Sequence, residues 1–352
     1  MCLSEAKGMD IIMKGLIVTG DGKLRLAADV PMPEPDDYEV LTRTLACGIC
    51  NGTDLKLIEG GLRGFTDYPA VLGHESVGEV IKVGKKVRNY QAGDRVLRTI
   101  LKSSASYNSL WGSFAQYGYV NDYDARVEDG LEADIGTCTQ QVIPGDIDPA
   151  EGTMIITLKE ICSALHRLGL EKGMDVAVIG CGPVGLSMAA LSKLMGARKV
   201  VLGGHHSKRI EAARRLGADL AVNSKETDLV SAIQSYVPEG VDLFVDCVGR
   251  TQIIDQGMQV VKETGKIGVY GIGMHTGDRI DWDKAPYNFQ IHAVQWPIAR
   301  EERKVHQEVL GYIQSGQLDL KDFVTHKLPL EEYQRGIELV RSREGLKVVL
   351  EF

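Results

Sequence analysis

The sequence predicts an α/β protein in two parts, a β-rich N-terminal part followed by a doubly wound parallel sheet. Two observations carry this prediction. From Met13 to about Asp148 the chain consists of short β-branched runs separated by turn residues, which is typical of an all-β part. Beyond Glu151 predicted strands alternate with predicted helices, and this alternation indicates parallel strands with helices on both faces.

The second part is predicted element by element from its apolar periodicity. The expected strands are 175–179, 199–203, 219–222, 241–247 and 266–270. The expected helices are 183–196, 207–216, 226–236 and 251–262. Helices at Glu301–Ser315 and Leu330–Ser342 and a last strand at Leu346–Phe352 are expected to fold back onto the N-terminal part. The predicted domains are therefore 13–150, completed by 298–352, and 151–297.

The composition is that of a mildly acidic globular chain. Its 352 residues exceed the usual size of a single hydrophobic core, which favours two domains. The net charge of −8, without a long run of like charge, argues against nucleic acid or an anionic membrane as a partner. No apolar stretch approaches the ~20 residues that span a bilayer, and no secretory signal begins the chain, so a cytoplasmic location is expected. The seven scattered cysteines are typical of reduced thiols.

A dinucleotide-binding turn is predicted where the strand 175–179 runs into the segment Gly180-Cys-Gly182-Pro183-Val184-Gly185. The first glycine permits a tight turn, the second lets the backbone approach a pyrophosphate, and the third lets the helix pack closely on the strand. Pro183 and Val184 begin that helix, whose N-terminal amides would face the anion. An ordinary buried strand, turn and helix is the alternative interpretation.

The loop after the next strand predicts NADP(H) rather than NAD(H). An NAD site usually ends this strand with a carboxylate that accepts hydrogen bonds from the ribose, and the segment Lys199–Arg209 has none. Gly204 removes bulk and negative charge, while His205, His206 and Arg209 offer donors and positive charge to a 2′-phosphate. The alternative is that the basic residues only lie on the solvent-exposed face of the next helix and bind no phosphate. Further along, Val248 and Gly271 follow strands whose ends would face the nicotinamide.

Several motifs together resemble the zinc-dependent alcohol dehydrogenases of the medium-chain dehydrogenase/reductase superfamily. They are Cys47-Gly-Ile-Cys50-Asn-Gly-Thr53-Asp54, Tyr68-Pro-Ala-Val-Leu-Gly73-His74-Glu75-Ser-Val-Gly78, Gly93-Asp-Arg-Val96 and Gly112-Ser-Phe-Ala-Gln-Tyr117, in the expected order before the glycine-rich turn. The resemblance implies a GroES-like β-rich catalytic domain that carries a zinc ion and a Rossmann domain that carries NAD or NADP. It covers the chain from Met13 to Phe352.

The resemblance implies that Cys50, His74 and Glu75 are zinc ligands. The residues that usually supply a further ligand are replaced by Ile156 and Thr157, so water or Glu160 would complete the coordination. A structural zinc would need four cysteines in the lobe 98–111, which has none, so one catalytic zinc and no structural zinc are expected.

The same resemblance assigns roles around the metal. Thr53 would relay the proton, Asp54 would orient His74, and Lys56 is a secondary relay that needs a lowered pKa. The loop Cys50–Asp54 is one residue longer than the family pattern, so it must bulge or hold Thr53 differently. Lys347 lies where relatives often place a basic residue near the pyrophosphate.

The implied activity is reversible hydride transfer between NADP(H) and a secondary alcohol or its ketone, with zinc acting as a Lewis acid. A polyol or sugar is the favoured substrate by analogy. The alternatives are a zinc-independent quinone or enoyl reductase of the same superfamily and a non-catalytic NADP-binding protein. Relatives pair sheets through a last strand, here 289–294, which predicts a homodimer or homotetramer.

Overall fold

The computed structural model describes residues 12–273 and 282–352. Contacts divide them into two compact units: the described residues up to Ile156 together with Val324–Phe352, and the described part of Thr157–Phe323. The stretch 298–323 therefore groups with the second unit, whereas the sequence placed it with the N-terminal domain. The predicted boundaries at 150/151 and 297/298 stay predictions of domain organisation.

Strands and short helices make up most of both units. The strands are β1 (Ile12–Val18), β2 (Leu24–Pro31), β3 (Glu39–Ile49), β4 (Ala70–Val71), β5 (Glu75–Val83), β6 (Arg95–Leu97), β7 (Asn108–Ser109), β8 (Tyr117–Asn121), β9 (Val142–Ile143), β10 (Asp175–Ile179), β11 (Lys199–Gly204), β12 (Leu220–Asn223), β13 (Val241–Asp246), β14 (Val261–Val269), β15 (Gln290–Ala293), β16 (Val324–Pro329) and β17 (Lys347–Glu351). The α-helices are α1 (Asp54–Ile58), α2 (Tyr123–Glu128), α3 (Pro149–Gly152), α4 (Met154–Leu168), α5 (Pro183–Leu194), α6 (Ser207–Arg215), α7 (Leu229–Tyr236), α8 (Thr251–Met258), α9 (Ala299–Lys304), α10 (His306–Gln314) and α11 (Tyr333–Arg341). Short 3-10 helices lie at Ile135–Thr139, Trp282–Lys284, Leu320–Asp322 and Leu330–Glu332.

The first unit contains two β-sheets, which confirms the predicted β-rich part. One has the strand order β2-β1-β4-β7, and the larger has the order β16-β17-β3-β5-β6-β9, with β8 also paired to β3. The long strand β3 runs antiparallel to β5, β8 and β17. Buried apolar side chains such as Leu16, Leu57 and Phe114 form a core of this unit. Because β3 and β5 are neighbours in the sheet, the end of β3 lies beside the start of β5.

The second unit contains the predicted parallel sheet, with strand order β12-β11-β10-β13-β14-β15. Every neighbouring pair is parallel. The chain enters at β10 in the middle, runs outward to β12, and returns on the other side at β13. The strand order therefore reverses between β10 and β13, which is the point where open α/β sheets bind ligands. Val201, Phe244 and Ile267 are fully buried members of its core.

Three of the differences from the sequence prediction concern α4, α8 and the pair α9 and α10. The structure adds α4, which was not predicted although Leu158, Ile161 and Leu165 recur at helical spacing and are fully buried. The predicted helix Glu301–Ser315 is divided into α9 and α10 at Val305. The helix predicted over 251–262 ends at Met258, because β-branched residues begin β14 there.

Within residues 12–273 and 282–352, the structure contains no helix with the length and apolar character required to cross a membrane.

Candidate metal and dinucleotide sites

Three side chains with metal-binding groups meet where β3 ends and β5 begins. Cys50 follows the last residue of β3, and His74 precedes the first residue of β5. Gly48 of β3 pairs with Glu75 of β5 in the antiparallel register. As a result, the sulfur of Cys50, an imidazole nitrogen of His74 and a carboxylate oxygen of Glu75 all lie within 4.8 Å of one another. Zinc is bound in proteins by these three kinds of donor.

Asp54 contacts two of these residues. It is fully buried at the start of α1, and its Oδ2 accepts a hydrogen bond of 2.8 Å from the backbone N–H of Cys50. Its Oδ1 lies 3.4 Å from Nδ1 of His74, which is too long for a good hydrogen bond, so this contact is mainly electrostatic. Because Nδ1 faces Asp54, Nε2 is the imidazole nitrogen that can bind a metal. The exposed residues Asn51 and Gly52 form a turn, which accommodates the additional residue of this loop.

The electrostatic surroundings of His74 and of the neighbouring Cys47 differ. Burial alone lowers the pKa of His74, but the Asp54 carboxylate and the Cys50 sulfur raise it well above its usual value. These two neighbours therefore favour the protonated imidazole, with which a metal ion would compete. Burial, aided by Asp54 and Glu75, raises the pKa of Cys47 well above its usual range, so this thiol stays neutral.

Glu75 forms a buried ion pair that the sequence did not reveal. Nζ of Lys347 lies 2.6 Å from Oε2 of Glu75, and the two side chains are only 3% and 5% exposed. A Cβ atom at Gly48 would lie 2.9 Å from the same oxygen, so the glycine leaves room for the carboxylate. Lys347 is thus held beside the metal-binding group, and its predicted contact with a pyrophosphate stays a prediction.

The two predicted proton-relay residues lie at the start of α1. Thr53 precedes the helix and makes no capping hydrogen bond with it. Lys56 is half-buried, and burial lowers the pKa of its ammonium group while Cys50 acts in the opposite direction. The lowered pKa is the direction that a relay role for Lys56 requires.

One aromatic residue of the 98–111 lobe borders the metal-binding group. The Trp111 ring centroid lies 5.1 Å from that of His74 and 5.3 Å from that of Phe65. Tyr107, by contrast, is buried, and its hydroxyl hydrogen-bonds Asp29 at 2.9 Å. Trp111 therefore borders the group around Cys50, whereas Tyr107 packs against β2.

Glu160, predicted as a substitute ligand, lies on α4 within the second unit, whereas Cys50, His74 and Glu75 belong to the first. Among the described residues, the group of metal-ligating atoms around Cys50 does not include Glu160. Ile156 is buried on the same helix. The metal-binding role of Glu160 stays a prediction.

The glycine-rich turn after β10 has a distinct geometry at each glycine. Gly180 has a φ of +121°, in the region that favours glycine. A Cβ atom at Gly182 would meet no atom within 4 Å, so the backbone there is open to a ligand. A Cβ atom at Gly185 would lie 1.7 Å from the carbonyl oxygen of Gly180, so only glycine permits this approach of helix to strand end. Pro183 occupies the first turn of α5, followed by Val184.

The loop after β11 and the start of α6 carry several nitrogen-bearing side chains. His205 is exposed, His206 is partly buried, and their ring centroids are 4.3 Å apart. Arg209 is partly buried in the first turn of α6. A Cβ atom at Gly204 would lie 2.4 Å from Sγ of Cys181. Packing against Cys181 is therefore a second reason for glycine at this position, and the sequence alone did not indicate it.

The loops after β13 and β14 are packed closely together. Oδ1 of the buried Asp246 accepts hydrogen bonds from the backbone N–H groups of Val248 and Gly249 at 2.7 and 2.9 Å. A Cβ atom at Gly271 would lie 2.2 Å from the backbone nitrogen of Gly249. This packing leaves Val248 39% exposed at the carboxyl end of the sheet.

Comparisons with known proteins match both units. Residues 36–127 match the family described as alcohol dehydrogenase GroES-like domain, and residues 183–297 match the family described as zinc-binding dehydrogenase. The L-threonine 3-dehydrogenase of Anaeromyxobacter dehalogenans (strain 2CP-C) is 30% identical over 349 residues, covering 92% of this chain and 94% of that protein. The sorbitol dehydrogenase of Bombyx mori is 29% identical, covering 91% of this chain and 93% of that protein.

A solved structure extends the likeness. The alcohol dehydrogenase TADH from Thermus sp. ATN1 has a TM-score of 0.77 and 25% sequence identity, covering 96% of this chain and 99% of that one. The relatives named here are dehydrogenases, so the chain is a dehydrogenase-type oxidoreductase that acts on a small alcohol or carbonyl compound. It belongs to the zinc-type alcohol dehydrogenase family of the medium-chain dehydrogenase/reductase superfamily.

Proposed function

We propose that the chain is a zinc-dependent dehydrogenase that transfers a hydride between NADP(H) and a secondary alcohol or its ketone, with a polyol or sugar as substrate. The observation that carries this proposal is the group formed by Cys50, His74 and Glu75, whose donor atoms lie within 4.8 Å of one another. Thiolate, imidazole and carboxylate suit zinc, and three protein ligands leave a position open for catalysis.

Each residue around this group has a proposed task. Cys50, His74 and Glu75 would hold the ion, which when bound supplies Lewis acidity toward a carbon–oxygen bond. Asp54 is a positioning residue, because it fixes the backbone of Cys50 and faces the imidazole of His74. The Thr53 hydroxyl would carry a proton away from the substrate oxygen.

The preference for NADP(H) rests on the loop after β11. His205, His206 and Arg209 lie in the segment where an NAD enzyme usually has a carboxylate, and their nitrogens suit a 2′-phosphate. The glycine-rich turn would hold the pyrophosphate, with Gly182 open to the ligand and the N-terminus of α5 directed at the anion. Val248 and Gly271 would lie near the nicotinamide ring.

The substrate class is proposed from the relatives. L-Threonine and sorbitol, named in the two relatives described above, both carry a secondary hydroxyl with a polar neighbour. A substrate with that arrangement is proposed here, and Trp111 beside His74 would form an apolar boundary. We also propose a homodimer or homotetramer that forms through the sheet-edge strand β15, where Ile291 is 37% exposed. A cytoplasmic location is part of the same proposal.

A panel of polyols, sugars, simple alcohols and enones, assayed with each cofactor before and after chelation, tests the proposal. We expect zinc-dependent oxidation of hydroxylated secondary alcohols with NADP⁺. Cys50→Ser should lose bound zinc and turnover together, whereas Cys47→Ala, in a buried cysteine outside the metal-binding group, should keep both. Enone reduction that persists without metal would identify the zinc-independent reductase instead, and tight NADPH binding without any turnover would identify a binding protein.

The cofactor preference has its own test. Arg209→Ser should lower kcat/KM with NADP⁺ by roughly 10–100-fold, the value of one charge-assisted hydrogen bond, and leave kcat/KM with NAD⁺ nearly unchanged. A wild-type preference for NAD⁺ would overturn this part of the proposal while leaving the zinc chemistry intact.

A further inference from the structure

A second group of metal-ligating side chains lies in the second unit, on helices α4 and α10. Cys162 and His166 are four residues apart on α4, which places their side chains on one face of the helix. Glu308 of α10 faces them. The sulfur, an imidazole nitrogen and a carboxylate oxygen of these residues lie within 4.8 Å of one another.

The hydrogen bonds of this group hold its members in place. Nε2 of His166 lies 2.8 Å from Oε2 of Glu308, and the Tyr312 hydroxyl donates a hydrogen bond of 3.2 Å to Oε1. Tyr312 follows Glu308 by one helical turn, so it fixes the carboxylate from the same helix. Cys162 is fully buried, whereas the side chains of His166 and Glu308 are 49% and 32% exposed. Solvent therefore reaches this group at His166 and Glu308, and the thiol is its inner member.

The chemistry of these donors matches a transition metal. Zinc binds thiolate, imidazole and carboxylate at about 2.0–2.3 Å in a tetrahedron, so its ligand atoms lie roughly 3.3–3.8 Å apart. The three donor atoms lie within 4.8 Å of one another, and the 2.8 Å contact between His166 and Glu308 would need to open by about 0.5 Å to admit the ion.

We propose that Cys162, His166 and Glu308 bind one zinc ion, with water as the fourth ligand and Tyr312 as the residue that positions Glu308. This site would link α4 to α10, and it shares no residue with the group around Cys50. It also lies outside the 98–111 lobe that would hold the structural zinc of relatives. It therefore adds an ion to the single zinc that the sequence led us to expect.

The zinc content of the purified full-length chain, measured after equilibration with zinc and gel filtration, tests this proposal. We expect two zinc ions per chain, and one in Cys162→Ser and in His166→Gln. His166→Gln changes a half-exposed side chain, so it gives a result even where Cys162→Ser disturbs folding. Arg167→Gln, at the neighbouring position, is the matched control and should keep both ions. Tyr312→Phe should weaken the affinity for the second ion by about 10–100-fold.

Cobalt separates the two metal groups. In the Cys50→Ser background, added Co²⁺ should still give the near-ultraviolet absorption of a cobalt–thiolate bond, and the additional change Cys162→Ser should remove it. Equal zinc content in the unaltered chain, Cys162→Ser and His166→Gln would overturn the proposal. One ion per chain that Cys50→Ser alone removes would also overturn it, while leaving the proposed function standing.

Discussion

Removing one partner of the buried pair between Glu75 and Lys347 should strongly destabilise the first unit. At the observed separation of 2.6 Å, an effective dielectric constant of about 20 gives a Coulomb attraction of about 6 kcal/mol. Loss of hydration by two nearly buried charges offsets much of this attraction. Lys347→Met leaves the carboxylate of Glu75 without this counter-charge, and we expect a loss of about 3–5 kcal/mol in the free energy of unfolding.

A double-mutant cycle isolates the interaction. Glu75→Gln, Lys347→Met and the double variant would be unfolded in urea, with a chelator present so that metal binding does not contribute. The loss in the free energy of unfolding should be clearly smaller for the double variant than the sum of the losses for the two single variants, with a coupling energy of about 1–3 kcal/mol. As a control, the exposed pair of Lys14 and Glu331 should have a coupling energy under about 1 kcal/mol in the same kind of cycle. Additivity at Glu75 and Lys347 to within about 0.5 kcal/mol would refute the reasoning.

Three further predictions concern glycines and a capping carboxylate. Gly185→Ala should abolish tight cofactor binding, measured by NADPH fluorescence, because its Cβ would lie 1.7 Å from the oxygen of Gly180. Gly204→Ala should lower the melting temperature through contact with Sγ of Cys181, and adding Cys181→Gly should recover part of the loss; no recovery would contradict the packing argument. Asp122 caps α2, and although its burial raises its pKa, hydrogen bonds from Arg88, Asn89 and Ala125 lower it below its usual value. Its contribution is therefore fully present above about pH 4 and is lost as pH falls through the folded-state pKa. Asp122→Asn should cost about 1–2 kcal/mol at pH 7 and flatten the acid limb of a stability profile, because an amide nitrogen cannot accept the hydrogen bonds that Oδ2 accepts from the backbone N–H groups of Arg88 and Asn89.

The parallel sheet could be predicted from the sequence because its signals are local. Each strand is a short apolar run, and each following helix begins within a few residues, so periodicity alone gives the alternation. The turn at Gly180 is likewise contained in one short segment. The boundary at Val305 was not predictable in this way, because helical residues continue on both sides of it.

The metal-binding group could be predicted only in part. The motifs made Cys50, His74 and Glu75 candidate ligands, and the antiparallel register of β3 and β5 brings these three residues together. The pairing of Glu75 with Lys347 joins residues 272 positions apart, and no local pattern encodes such a contact. For the group on α4 and α10, a local signal exists in the sequence, since Cys162 and His166 lie one helical turn apart. This signal did not lead to a prediction because α4 itself was not predicted.

The two oxygens of Asp54 serve different neighbours, one the main chain of Cys50 and the other the ring of His74. One buried carboxylate thus hydrogen-bonds the backbone beside one candidate ligand and attracts the ring of another, which should limit the movement of both. A cation would bind side chains that are already in position, so little conformational entropy would be lost on binding. A rigid site of this kind should bind ions that fit the existing spacing of the ligand atoms more tightly than ions that need a larger or more variable coordination shell.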